Sequence, residues 1–294
     1  MNGFTLESDV GMKLIRTEPL LSMFVLSPFV WPSGDGYQVL VRAVNHSPIP
    51  ADKVARIYAG TSDDGLTFHM GERPVIVPGP DADDKDGAED PTVVPGEGTL
   101  YIYYTGWNEA RLTANLMLAT GPDVQHLTKQ GVVLPSTPAH RNTKEATLAQ
   151  IADGSWRLFF EYAAGGKSRV GLASGPSITG PWTVLAPPFE ARPDRWDSWH
   201  LSTGPMLRTD PPVMFYNGAD EKACWKIGWI AFDAGFTKVM ARSDQPLIVP
   251  GPVEPPYRDI AFANSLIEHG NELWLYYSVA DMDVRRATLD GGAA

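Results

Sequence analysis

Two charged pairs stand out in this 294-residue chain because each opens an apolar, aromatic-rich stretch. Glu89-Asp90 sits directly before Pro91 and the apolar, Tyr-rich stretch that runs to Gly106, and Lys144-Glu145 opens a second stretch of the same kind ending at Tyr162. Carboxyl groups on two separate elements that converge on one point can work as a general acid and a general base, provided their surroundings keep one protonated and the other ionised. Ser27, Ser202-Thr203 and Asn264 head three similar stretches and would line the same point. His200, within Trp196-Asp197-Ser198-Trp199-His200, and Asn217 and Asp220, either side of Gly218-Ala219, are further candidates for contacts to a polar ligand. A solvated loop after a strand is the better reading of Asp220, and a structural ion pair is the alternative for Lys144-Glu145.

These residues belong to a repeat. Ser27–Asn45, Glu89–Gly106, Lys144–Tyr162, Ser202–Gly218 and Phe262–Ser278 share one layout, a polar head, an apolar strand, a turn and a Tyr/Phe/Leu/Val-rich strand, at a spacing of about fifty to sixty residues. A further apolar strand comes after each of them: Ala55–Thr61, Asn115–Thr120, Arg169–Ser174, Trp225–Phe232 and Val284–Leu289. Gly65–Phe68, Gly180–Thr183 and Pro246–Pro250 read as turns and outer strands. Four strands per repeat with no amphipathic helical pattern predicts an all-β, five-bladed β-propeller of four-stranded blades. The fifth repeat is short of one strand, so an N-terminal strand, expected within Met12–Leu21, closes the ring and makes residues 1–294 a single domain. A β-sandwich is the alternative architecture.

Composition narrows the partners. With 24 basic and 35 acidic residues the formal charge is −11, and the absence of a Lys/Arg run argues against nucleic acid. One cysteine, Cys224, excludes an internal disulfide and reads as an inert thiol in a strand. Neither a signal peptide nor an apolar run of membrane length is visible, so a cytoplasmic protein without a membrane partner is expected. The histidines lack metal-ligand spacing, so neither a metal nor a cofactor is expected. A homo-oligomer is compatible with the sequence.

Two carboxyl groups either side of a scissile bond are what glycoside hydrolysis requires, and an oligosaccharide is the expected substrate. Gly87-Ala88-Glu89-Asp90-Pro91 resembles the Gly-x-Glu-Asp-Pro motif of glycoside hydrolase family 130, the mannoside phosphorylases and β-mannosidases. Leu40-Val41-Arg42, Lys144-Glu145, Trp225–Asp233 and Tyr276-Tyr277 to Ala280-Asp281 agree with it along nearly the whole chain. Gly180-Pro181-Trp182 and Glu145-Ala146 also resemble neighbouring five-bladed arabinanases, xylosidases and fructosidases, in which a third-blade Glu is the acid. The family 130 resemblance implies an inverting enzyme with Asp90 as general acid, acting directly or through a sugar hydroxyl, and Arg42 and Asp281 holding the sugar. Phosphorylases of that family hold phosphate with cations, and here the pattern departs. Thr92 stands where Arg is usual, Asn217 replaces the His of a Tyr-His-Gly motif, and Glu161 takes the place of a basic residue, leaving Lys144. These departures favour an inverting hydrolase with Glu161 or Glu145 as base; the alternatives are a phosphorylase and a propeller that only binds carbohydrate.

Overall fold

The computed structural model describes residues 3–254 and 258–291. It is a five-bladed β-propeller of antiparallel sheets. From the axis outward, blade 1 runs through Met23–Ser33, Gly36–Asn45, Ala55–Ser62 and Thr67–Ile76. Blade 2 comprises Gly87–Gly96, Thr99–Asn108, Thr113–Gly121 and Thr128–Leu134. Blade 3 comprises Arg141–Gln150, Trp156–Ala164, Lys167–Gly175 and the two-residue Thr183–Val184. In blade 4 the inner strand is broken into His200–Ser202 and Met206–Leu207, with Val213–Ala219, Trp225–Phe232 and Val239–Arg242 outside it. Blade 5 holds Ala261–His269, Glu272–Val279 and Asp283–Asp290.

Ring closure comes from the N-terminal side, though not from the expected residues. Thr5–Gly11 pairs antiparallel with Asp283–Asp290, whereas Lys13–Ile15 adds in parallel to the outer strand of blade 1. The closing strand is solvent-exposed along its whole length, so no apolar alternation marks it in the sequence. The outer strand of blade 4 is likewise Val239–Arg242, while the Pro-flanked Leu-Ile-Val segment contributes only a bridge between Ile248 and Ile227. Cys224 lies partly buried in the turn before Trp225–Phe232 rather than in a strand.

What holds the blades together is an aromatic doublet in each second strand but one. Tyr103-Tyr104, Phe159-Phe160, Phe215-Tyr216 and Tyr276-Tyr277 are all at most 2% exposed. Because successive side chains of a strand point to opposite faces, each doublet feeds two interfaces. Tyr104 packs with blade 1 residues and Tyr103 with blade 3 residues. Phe160 and Phe159 divide in the same way between blades 2 and 4, Tyr216 and Phe215 between blades 3 and 5, and Tyr277 and Tyr276 between blades 4 and 1. In blade 1, Leu40 and Val41 take this role.

Candidate functional site at the propeller axis

The polar heads of the inner strands converge through a shared backbone device. Ser27, Asp90 and Glu145 each adopt a left-handed conformation, with φ of +52°, +47° and +52°. Each sits where the inner strand slips register against its neighbour, between Leu26 and Phe29, Glu89 and Thr92, and Lys144 and Ala146. A bulge re-aims a side chain that a regular strand would point along the blade face, and non-glycine residues in this region cost on the order of 1–3 kcal/mol each. Blade 5 has a bulge at the matching place, around Asn264. The strain therefore recurs at the axis, where the candidate chemistry lies.

Arg42, from the second strand of blade 1, forks between the two acids of blade 2. Its Nη2 lies 3.1 Å from Glu89 Oε2 and its Nη1 3.2 Å from Asp90 Oδ1, and the Ser27 hydroxyl donates to Asp90 Oδ1 at 2.7 Å. In blade 3, Lys144 and Glu161 are direct cross-strand partners, with Nζ 3.2 Å from Oε1. Glu161 is 3% exposed, but about a third of the Lys144 side chain reaches solvent.

Electrostatics divide the carboxylates. Burial alone would raise Asp90, but Arg42, Lys144 and the Ser27 hydroxyl outweigh it and hold the carboxyl below its ordinary range. Glu145 is pushed well above the ordinary range, first by burial and then by the negative charge of Asp90. Glu89 and Asp281 are also raised, chiefly by burial. Although burial disfavours its charge, Arg42 is held firmly protonated by Glu89, Asp90 and Asp281, and Glu161 leads the groups that do the same for Lys144. The charge of Asp90 is thus one of the causes that raise Glu145, and the two carboxyls are shifted in opposite directions.

The remaining candidates separate. Asp281 acts electrostatically on Arg42 and lines a cavity of 710 Å³ with it. His200 belongs to the wall beside Glu161: its Nδ1 accepts from the Ser168 amide at 3.0 Å, its ring stacks on Trp225, and burial lowers its pKa. Asn217 is not a sugar ligand. It is fully buried, its amide donates to the carbonyls of Thr203 and Ala263, and its oxygen accepts from the Ala263 amide at 2.7 Å, tying blade 4 to blade 5. Asp220 also drops out, because it caps the amides of Lys222 and Cys224 and pairs with Lys226 at 3.1 Å. Thr92 faces the neighbouring blade, donating to the Ala146 carbonyl at 2.8 Å. Ser27 and Glu89, which head their repeats beside the candidate acids, are placed by the structure as the partners of Asp90 and Arg42. Among the described residues no group of three or more His, Cys, Asp or Glu side chains is placed to hold a metal ion.

A five-bladed propeller with strained carboxylates and cations gathered at its axis is the frame of a carbohydrate-active enzyme. Comparison with known sequences agrees: the family described as β-1,4-mannooligosaccharide phosphorylase matches residues 27–290, so the chain belongs to glycoside hydrolase family 130. A 1,2-β-oligomannan phosphorylase of Thermoanaerobacter sp. (strain X514) is 23% identical over 251 residues, covering 81% of this chain and 79% of the relative. The β-1,2-mannobiose phosphorylase of Listeria innocua superposes with a TM-score of 0.78 at 19% identity, over 98% of this chain and 91% of that one. A structure described as showing that family 130 contains hydrolases targeting β-1,2-mannosidic linkages in Candida mannan gives a TM-score of 0.78 at 24% identity, over 90% and 84% of the two chains. Two of these three relatives are named phosphorylases, and the third is described as showing hydrolases within the family.

Proposed function

We propose that the protein cleaves β-linked mannosides with inversion and passes the mannosyl group to inorganic phosphate. The carrying observation for bond cleavage is the Asp90–Glu145 pair, set in matching left-handed bulges of adjacent blades, with one carboxyl held below its ordinary range and the other pushed well above it. The pair supplies the proton to the departing glycosidic oxygen, while Arg42 and Asp281 hold the sugar. The names of the relatives support phosphate as acceptor. Lys144, partly open to solvent, is the cation best placed to meet it. Attack from the face opposite the leaving group turns a β-mannoside into α-mannosyl phosphate.

One observation favours water instead. Lys144 is paired with Glu161, and Thr92 and Asn217, at positions where phosphorylases of the family carry cations, have their side chains taken up between blades. Arg42 and Lys144 already face Glu89, Asp90 and Glu161, which leaves no surplus positive charge for a dianion, and Glu161 would then activate water.

Incubating β-1,2- and β-1,4-mannobiose with and without phosphate separates the two. Mannosyl phosphate that forms only with phosphate supports the proposal; free mannose at the same rate without phosphate sinks it in favour of hydrolysis.

A further inference from the structure

The 710 Å³ cavity carries charges that the cleavage chemistry does not use. It begins at Arg42 and Asp281, the two residues assigned to the sugar, and extends between the strand connections of blade 1 and the approach to blade 5, where Lys53 and Arg258 line it. Such a volume suits more than a single neutral hexose ring. Arg42 is held by Glu89 and Asp90. Lys53 and Arg258 are exposed, and among the described residues neither has an ion-pair or hydrogen-bond partner. Among the described lining residues Asp281 is the one carboxylate, against three Lys or Arg side chains, in a protein whose formal charge is −11. The His46 ring stacks on Phe24 in the same wall, with centroids 3.7 Å apart, giving a flat surface against which a sugar ring can lie.

We propose that this cavity seats a sugar bearing an anionic substituent, a phosphate or a carboxylate, with Lys53 and Arg258 as its counter-charges. The inference rests on the proposed function, since it takes the residue beside Arg42 and Asp281 to be a sugar. A neutral oligosaccharide would leave two unpaired cations facing the cavity, whereas an anionic oxygen would give each a charge-assisted hydrogen bond. In an acidic protein such a patch also draws an anionic substrate selectively from solution.

The test is calorimetric titration of the wild-type protein with mannose, mannose 6-phosphate, mannuronate and inorganic phosphate at low and moderate salt. At least one charged sugar is expected to bind about tenfold or more tightly than mannose, with the advantage shrinking as salt rises. Lys53→Gln and Arg258→Gln should each cut the charged-to-neutral affinity ratio about tenfold. A gain for mannose 6-phosphate alone identifies a phosphorylated sugar, and a gain for both charged sugars identifies a general anion seat. Equal affinity for charged and neutral sugars, or a ratio untouched by both substitutions, overturns the inference. It is also overturned if inorganic phosphate alone binds and loses its site in the same two variants. Turnover is read separately: a protein that binds the charged sugar yet cleaves no mannoside leaves this inference standing and removes the proposed function.

Discussion

Asp90 and Glu145 have similar side chains in similar bulges, yet their neighbours assign them opposite charge states. Arg42 and Ser27 touch Asp90, whereas Glu145 is left facing its charge. Glu145 must keep its proton for the pair to act as an acid, so kcat/KM is expected to fall as pH rises through its elevated value. A Glu145→Gln variant should lose activity by about 10²-fold or more and lose that alkaline limb. Either loss should shrink for an aryl mannoside whose leaving group needs no proton, and a loss that stays the same for that substrate would remove the pair from proton transfer. Stability carries the same signature. Because the folded protein holds the Glu145 proton above the ordinary value of 4.5, stability is full below that value and declines as pH rises from it through the raised one. Unfolding midpoints of wild type and Glu145→Gln should therefore diverge in the variant's favour with increasing pH. Glu161→Gln tests the acceptor. Freed from its partner, Lys144 should bind phosphate several-fold more tightly, lowering the KM for phosphate; a fall in rate of about 10²-fold would instead make Glu161 a base. The acids were legible in the sequence because they head repeats. Lys53 and Arg258 were not, since two residues about two hundred positions apart meet only once the ring is closed.

The strands that the sequence made plain are those with both faces buried. The doublets at 103–104, 159–160, 215–216 and 276–277 announce strands packed on either side, and all four second strands formed where expected. Asn217 departs from the expected sugar contact for the same reason. It lies one residue beyond a doublet, in a strand buried throughout, and there an amide serves the backbone of the next blade rather than a ligand. Truncating a doublet should be costly: Phe160→Ala is expected to destabilise by about 3–5 kcal/mol in urea unfolding. Part of the reason is local, because a Cβ on Gly171 would lie 2.3 Å from the Phe160 ring and the ring fills that space. The bulges left no comparable mark in the sequence, since a left-handed Asp or Glu looks like any other there. Gly204, in the break of blade 4's inner strand, is equally constrained. A Cβ there would stand 1.8 Å from the Phe215 carbonyl oxygen, so Gly204→Ala should abolish soluble expression or lower the unfolding midpoint sharply.

As a whole, the molecule depends on one polar strand to complete its fifth blade. Thr5–Gly11 covers Asp283–Asp290, and Asp9 receives both the Tyr277 hydroxyl at 2.8 Å and Arg285 Nε at 2.9 Å. Phe4, just before it, packs edge-on against Phe215 with ring centroids 4.8 Å apart. Deleting residues 3–11 should leave an unpaired edge that aggregates, measurable by light scattering during refolding; a monomeric, fully active truncation would contradict this. The seam also sets an order of events during synthesis. Thr5–Gly11 is made well before its partner Asp283–Asp290, so the strand must wait, held only by its own polarity, while the intervening blades form. Arg42 likewise waits for Asp281. A chain halted before blade 5 would carry Asp90, Glu145, Arg42 and Lys144 but not Asp281, so the wall that Arg42 and Asp281 share is finished only once blade 5 has been made.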